Sequence, residues 1–180
     1  MRIDVITLFP EIFASITDYG ISARAMKRGL WNIHFWNPRD VTEDVHRTVD
    51  DRPFGGGPGM VMMAEPLAKT LEYVRASGNS GPVIAFSPTG ERLTDAYVRS
   101  FSSQPAGQMV LVCGRYEGID ERFLETYVDH TVSLGDFVLS GAELAACALI
   151  DAVVRQLPGA IKELSASDES FSTGLLDAPH

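Results

Sequence analysis

Cysteine is scarce in this chain of 180 residues: only Cys113 and Cys147 occur, each inside an apolar run, Val-Leu-Val-Cys and Ala-Ala-Cys-Ala-Leu-Ile. Thiols in such settings pack as small hydrophobes, which speaks against a disulfide scaffold and against a cysteine metal site. Long apolar runs are missing too. No stretch reaches 18 consecutive apolar residues, and Met1-Arg2-Ile3-Asp4 leads straight into an alternating segment without a basic n-region, an apolar h-region or a small-residue cleavage site. The chain therefore reads as cytosolic. Absent as well are G-x-G-x-x-G after a strand, G-x-x-x-x-G-K-[ST] and G-x-S-x-G. A dinucleotide-type Rossmann site, a P-loop and a hydrolase nucleophile elbow are left without support.

Positive charge is thin towards the end of the chain. The formal charge is −9, and residues 116–180 hold Arg122, Arg155 and Lys162 as their only cations against 12 acidic side chains. The first 115 residues balance, and they carry local basic clusters. Arg24, Lys27 and Arg28 have the spacing of one helical face, while Arg39, Arg47 and Arg52 stud the polar stretch that follows. A nucleic-acid partner is thus not excluded by the overall acidity.

What is present is ordinary globular composition, 45% hydrophobic and 22% charged, at the size of one domain. Ile3 to Phe9 reads as a strand, with Pro10 and Glu11 opening a helix. Asp18-Tyr19-Gly20 ends that helix, Ser22 is placed to cap a second one running to about Arg28, and Trp31 to Trp36 alternates as a half-buried strand. His34, on its polar face, reads as structural. From Asn37 to Gly59 the pattern dissolves into Pro, Asp, Arg and Gly, too long for a simple connector. Glu65 to Ala76 has helical spacing. Pro82 to Phe86 and Met109 to Cys113 are continuous apolar runs suited to parallel strands covered on both faces, with Thr94 to Ser102 as the helix between them. His130 to Leu134 is a weaker strand, and Glu143 to Leu157 a helix apolar nearly all round that should pack centrally.

Three glycine-containing loops follow strands: Ser87 to Gly90, Gly114 to Asp120, and Gly135 to Gly141. Ligands of an open α/β sheet bind outside the carboxyl ends of its strands, and glycine lets backbone approach them. Each loop alone is better read as a turn; the three together are placed to line one pocket. The stretch from His46 to Met60 adds four glycines and two prolines in seven residues, with Arg47 and Arg52 for phosphates and Phe54 for stacking. His46, Asp50 and Asp51 are too few and too loosely spaced for a protein-held metal.

Asp50 to Met60, Val112 to Arg122 (V-C-G-R-Y-E-G-I-D-E-R), Leu134 to Leu144 (L-G-D-F-V-L-S-G-A-E-L) and Ser170 to Asp177 (S-F-S-T-G-L-L-D) closely resemble the bacterial tRNA (guanine-N1)-methyltransferases of the SPOUT class, which modify guanosine 37 beside the anticodon. The likeness runs from Met1 to His180 in the same order. It implies an α/β fold, a mostly parallel sheet with flanking helices, tied in a deep trefoil knot. It further implies a methyltransferase domain over 1–159 with the knot at about 83–145, a flexible linker over 160–180, and a homodimer with shared active sites. The family continues beyond the position of His180 into a C-terminal tRNA-binding domain, which is expected to be absent from this chain.

The resemblance assigns S-adenosylmethionine to Ala85, Phe86, Ser87 and Pro88, to Gly114, Tyr116, Glu117 and Gly118, and to Leu134, Gly135, Phe137, Leu139, Gly141 and Ala142. It assigns tRNA to Arg24, His46, Asp50, Arg52, Gly57 and Gly59, and implies free Mg²⁺ as a helper that the protein does not hold. The chemistry can be argued separately. Guanine N1 carries a proton and is a poor nucleophile, so attack on a sulfonium methyl needs a base at N1 and a cation at O6. Arg155 matches the family's O6-side arginine. The base is an aspartate before Ser-Phe in the family; here that position is Glu169, with Asp168 one residue earlier as the second candidate. Ala142 and Ala145 stand where the family has Gly and Pro, and Ala85 where it often has Tyr. A catalytically silent RNA- or S-adenosylmethionine-binding domain is the alternative reading.

Overall fold

Alternation near the N-terminus becomes β1 (Arg2–Ile6), whose side chains point in turn to the two faces of a sheet. The computed structural model describes residues 1–103, 107–161 and 170–171. The other strands among these are β2 (Asn32–Trp36), β3 (Asp50–Asp51), β4 (Val61–Met62), β5 (Val83–Arg92), β6 (Gln108–Val112) and β7 (His130–Ser133). The helices are α1 (Ala14–Thr17), α2 (Gly20–Lys27), α3 (Ala64–Ala76), α4 (Asp95–Ser102), α5 (Glu121–Tyr127) and α6 (Glu143–Arg155). Five strands form one sheet in the order β2-β1-β6-β5-β7, every neighbour parallel. β3 and β4 make a separate antiparallel ladder.

Period-two alternation divides the core between the two faces. Ile3, Val5, Met109 and Leu111 face one layer with Ala146, Leu149, Ile150 and Val153 of α6 and Val98 and Phe101 of α4. Ile6, Val110 and Val112 face the other with Leu67, Leu71 and Val74 of α3 and Phe123 of α5. Each such aliphatic side chain contributes about 1.5–3 kcal/mol on burial, so the central strands β1 and β6 are held from both sides. Cys113 and Cys147 are buried free thiols, as their apolar surroundings predict.

The structure departs from the sequence reading at several points. Ser22 does not cap α2. The helix starts at Gly20 behind Tyr19, and Ser22 is buried inside it, donating from Oγ to Asp151 Oδ1 at 2.5 Å and accepting through its carbonyl from Trp31 Nε1 at 2.8 Å. Tertiary partners on α6 and Trp31 thus claim a residue that local rules place at a cap. The opening at Pro10 is a 3₁₀ turn, Pro10–Phe13, before the short α1. Ser87 to Gly90 is not a loop beyond a strand but a detour within β5. Phe86 and Glu91 both stand opposite Val132, and the four residues between bulge out. Helix α5 was not anticipated; Asp120 caps it by accepting from Arg122 N at 3.0 Å.

Candidate active site

The carboxyl ends of β5, β6 and β7 converge on a cavity of about 460 Å³. Its walls come from the β5 detour, from residues 114–119 after β6 and from 134–142 between β7 and α6. Backbone at these turns is brought unusually close. A Cβ on Gly90 would lie 2.6 Å from the Thr131 carbonyl carbon, and one on Gly114 would lie 3.2 Å from Ile119 Cγ1. Ala142 N donates to Gly114 O at 3.0 Å, tying the second loop to the third. Tyr116 adopts φ +59°, a left-handed conformation that costs a non-glycine residue about 1–3 kcal/mol and is tolerated where surroundings over-determine it.

All the residues that the sequence assigned to a cofactor line this one cavity: Ala85 to Pro88 on the first wall, Gly114 and Tyr116 to Gly118 on the second, Leu134, Gly135, Phe137, Leu139, Gly141 and Ala142 on the third. Arg115, Ile119, Leu124, Thr131 and Val138 also line it and were not assigned to the cofactor, and so does Ala145, noted in the sequence only as a departure from the family. Ile119 lies in the second strand-end loop, whereas Leu124 belongs to the unanticipated α5, so no strand-end rule points to it.

The glycine-rich stretch packs against the second loop. Gly59 lies so close to the Glu117 side chain that a Cβ there would overlap it. Glu117 N donates to Met60 O, Met62 N to Gly118 O, and Asp120 N to Met62 O, each at 2.9 Å. Tyr116 Oη accepts from Arg39 Nη2 at 3.4 Å and donates towards Asp50. Burial and the Asp50 carboxylate raise the Tyr116 phenol above its ordinary range, against the opposing pull of Arg39. Asp50 and Gly59 therefore adjoin the cavity wall, while His46, Arg52 and Gly57 are exposed along the same stretch. Arg24 is exposed elsewhere, on the last turn of α2, which the Ser22–Asp151 hydrogen bond ties to α6.

Arg155 occupies the last turn of α6, whereas the cavity touches that helix at its first turn, through Ala142 and Ala145. At 1.5 Å per residue, Arg155 stands about 18 Å along the axis from Glu143. The structure does not bring Arg155 to the cavity of its own chain. Glu169 and Asp168 lie outside the described residues.

Sequence reasoning missed one charged group behind the wall. Glu143, 1% exposed, pairs through Oε2 with Arg115 Nη2 at 2.8 Å and accepts at Oε1 from Thr7 Oγ1 at 2.9 Å. Only the acidic residue at the head of an apolar helix hinted at it, and such residues usually serve the helix dipole.

The whole chain, residues 1–180, matches the model of the family described as tRNA (Guanine-1)-methyltransferase TrmD. A tRNA (guanine-N(1)-)-methyltransferase of Thiobacillus denitrificans is 58% identical over 185 residues, spanning all of this chain and 78% of that protein. One of Pseudomonas putida (strain W619) is 57% identical over 182 residues, spanning all of this chain and 72% of its own. The crystal structure of the tRNA (m1G37) methyltransferase from Aquifex aeolicus superposes with a TM-score of 0.82 at 40% identity, covering 91% of this chain and 72% of that one. The α/β architecture described above is accordingly the knotted SPOUT fold. With its full length matched by the family model and by relatives at more than half identity, the chain belongs to the tRNA (Guanine-1)-methyltransferase TrmD family.

Proposed function

We propose that the chain transfers a methyl group from S-adenosylmethionine to N1 of guanosine 37 in tRNA, and that the cavity at the ends of β5, β6 and β7 holds the cofactor. One observation carries this reading. In a chain that belongs to the family over its whole length, three loops far apart in sequence build a single cavity within the usual volume of small-molecule sites, about 300–1,000 Å³. The lining fits the group: Ala85, Leu134, Leu139 and Ala142 give apolar wall for an adenine, Gly114 and Gly135 give close backbone, and Glu117 gives a carboxylate for a cation. A relative's name extends to this chain here as the substrate class, tRNA, which also puts the reaction in the cytoplasm.

When bound, the cofactor supplies a methyl carbon on a sulfonium. The chain's own part is to remove the N1 proton and to balance charge at O6 as the new C–N bond forms and the C–S bond breaks. Glu169 is assigned the proton, with Asp168 as second choice, and Arg155 the charge on O6. The span of α6 supports a homodimer with shared sites: a cation that lies about 18 Å from the cavity end of its own helix can complete another chain's site more readily than its own. Asp50, Gly59, His46, Arg52, Gly57 and Arg24 are assigned to tRNA. A silent binding domain has no observation in its favour. Calorimetry with S-adenosylmethionine, followed by transfer of labelled methyl to tRNA, tests the proposal. Binding followed by transfer is expected; binding without transfer would leave the silent domain standing, and no binding would overturn the assignment of the cavity.

A further inference from the structure

Among the described residues, two carboxylates are fully enclosed in the core, Asp4 and Glu143. Asp4 lies on β1 and receives Arg2, Trp36 and Asn79 side chains away from the cavity lining, as a structural tie. Glu143 is differently placed: it opens α6, directly after the wall residues Gly141 and Ala142. Enclosing an ion pair here is not the cheapest route to stability, since apolar residues of similar volume usually do as well or better. What the pair does instead is fasten separate segments to one guanidinium. Arg115 reaches Glu143 Oε2 at 2.8 Å and donates from Nη1 to Ser140 O at 3.2 Å, and its Cζ lies 4.5 Å from the centre of the Phe9 ring. The guanidinium rests on Gly141 where any Cβ would collide with it. Thr7 is in turn oriented by Phe9, whose N–H donates to Thr7 Oγ1 at 3.0 Å while Oγ1 donates to Glu143 at 2.9 Å.

We infer that Thr7, Glu143 and Arg115 form a positioning chain that sets the shape of the cofactor cavity, by clamping the loop after β6 onto the loop before α6. This rests on the reading of that cavity as the S-adenosylmethionine site. The clamp acts through backbone. Arg115 itself lines the cavity between Gly114 and Tyr116, and Leu139 and Ala142 flank Ser140 and Gly141, so a shift of the guanidinium moves two cavity walls at once. A planar cation with separate donors for two partners suits this task, and a lysine would not: its point charge cannot meet Glu143 and the Ser140 carbonyl while lying flat on Gly141 and Phe9. Glu143 keeps the fork aimed, and Thr7 fixes the carboxylate that aims it.

The test compares full-length wild type with Glu143→Gln, Arg115→Lys and the double variant Arg115→Met with Glu143→Met. The readouts are S-adenosylmethionine Kd by calorimetry, Tm, and amide exchange over residues 114–118 and 135–142. Glu143→Gln and Arg115→Lys are expected to weaken cofactor binding about 10-fold or more and to raise exchange in both loops. In the double variant no charge is stranded, so Tm recovers towards wild type while cofactor binding stays weak. That split, together with the loss in Glu143→Gln, whose side chain does not line the cavity, marks positioning. A double variant whose Kd returns with its Tm would show the pair to be structural only, and a Glu143→Gln protein with wild-type affinity would overturn the inference outright. Failure of the wild type itself to bind would instead bring down the reading of the cavity, and the inference with it.

Discussion

At the scale of single residues, a few side chains have separable effects. Gly114 borders the cavity with Ile119 already at 3.2 Å from any added Cβ. Gly114→Leu should abolish S-adenosylmethionine binding while the far-ultraviolet dichroism is retained; unchanged calorimetric affinity would place the cofactor elsewhere. Arg155→Ala should leave cofactor affinity nearly intact and lower the single-turnover methyl-transfer rate by about 10²–10³, the usual cost of one lost charge-stabilising group. If Arg155 only closes the C-terminus of α6, Tm falls and that rate does not. For the base, Glu169→Gln should depress the rate far more than Asp168→Asn. The reverse order would show the assigned register to be off by one residue. Glycines at strand ends were legible in the sequence because turn chemistry is local. The Arg115–Glu143 pair was not, because its members are 28 positions apart and meet only when the head of α6 packs against the loop after β6.

At the scale of elements, β1 joins both core layers and carries the enclosed Asp4. Burial alone would push that carboxyl upward, but hydrogen bonds from Arg2, Asn79 and Trp36, with the charge of Arg2, hold it below its ordinary value. A carboxyl depressed in the folded state adds stability that is complete above its unfolded pKa, about 3.9, and is lost as pH falls through the folded value. Thermal melts of wild type and Asp4→Asn should therefore differ most above about pH 5 and converge only as pH falls below about 4; a gap that stays constant from about pH 5 to well below about pH 4 would contradict the assignment. Asp4→Ala should cost about 1–3 kcal/mol in denaturant unfolding, because the Asn79 and Trp36 donors lose their acceptor. Element types were read well where periodicity was strong, as in the apolar runs of β5 and β6 and the helical spacing of α3 and α6. They were misread where a tertiary partner decides. Ser22 serves Asp151 rather than a cap, and Glu91 and Arg92 rejoin β7 after a bulge that sequence pattern reads as the end of a strand. Helix α5 has only seven residues, too few for a period to declare itself.

At the scale of the whole molecule, the acidic imbalance sits in the last third of the chain, whereas the stretches assigned to tRNA lie in the balanced first half. Local charge, not net charge, is what a polyanion meets within a screening length of about 8–10 Å. The proposed dimer predicts complementation. Gly114→Leu disables the cavity and Arg155→Ala the arginine, so mixing and re-annealing the two inactive variants should restore transfer in mixed dimers that hold one intact cavity facing the partner's Arg155. No recovery at any mixing ratio would mean that each chain completes its own site. A single-turnover assay probes methyl transfer to N1 of guanosine 37 from a cofactor held in the β5–β6–β7 cavity. The full chain, in excess over tRNA and loaded with labelled S-adenosylmethionine, is given tRNA that either carries guanosine at position 37 or has it replaced, and the product nucleosides are separated. Label in 1-methylguanosine from the first tRNA and none from the second is the predicted result; label in both, or in neither while the cofactor binds, would contradict it.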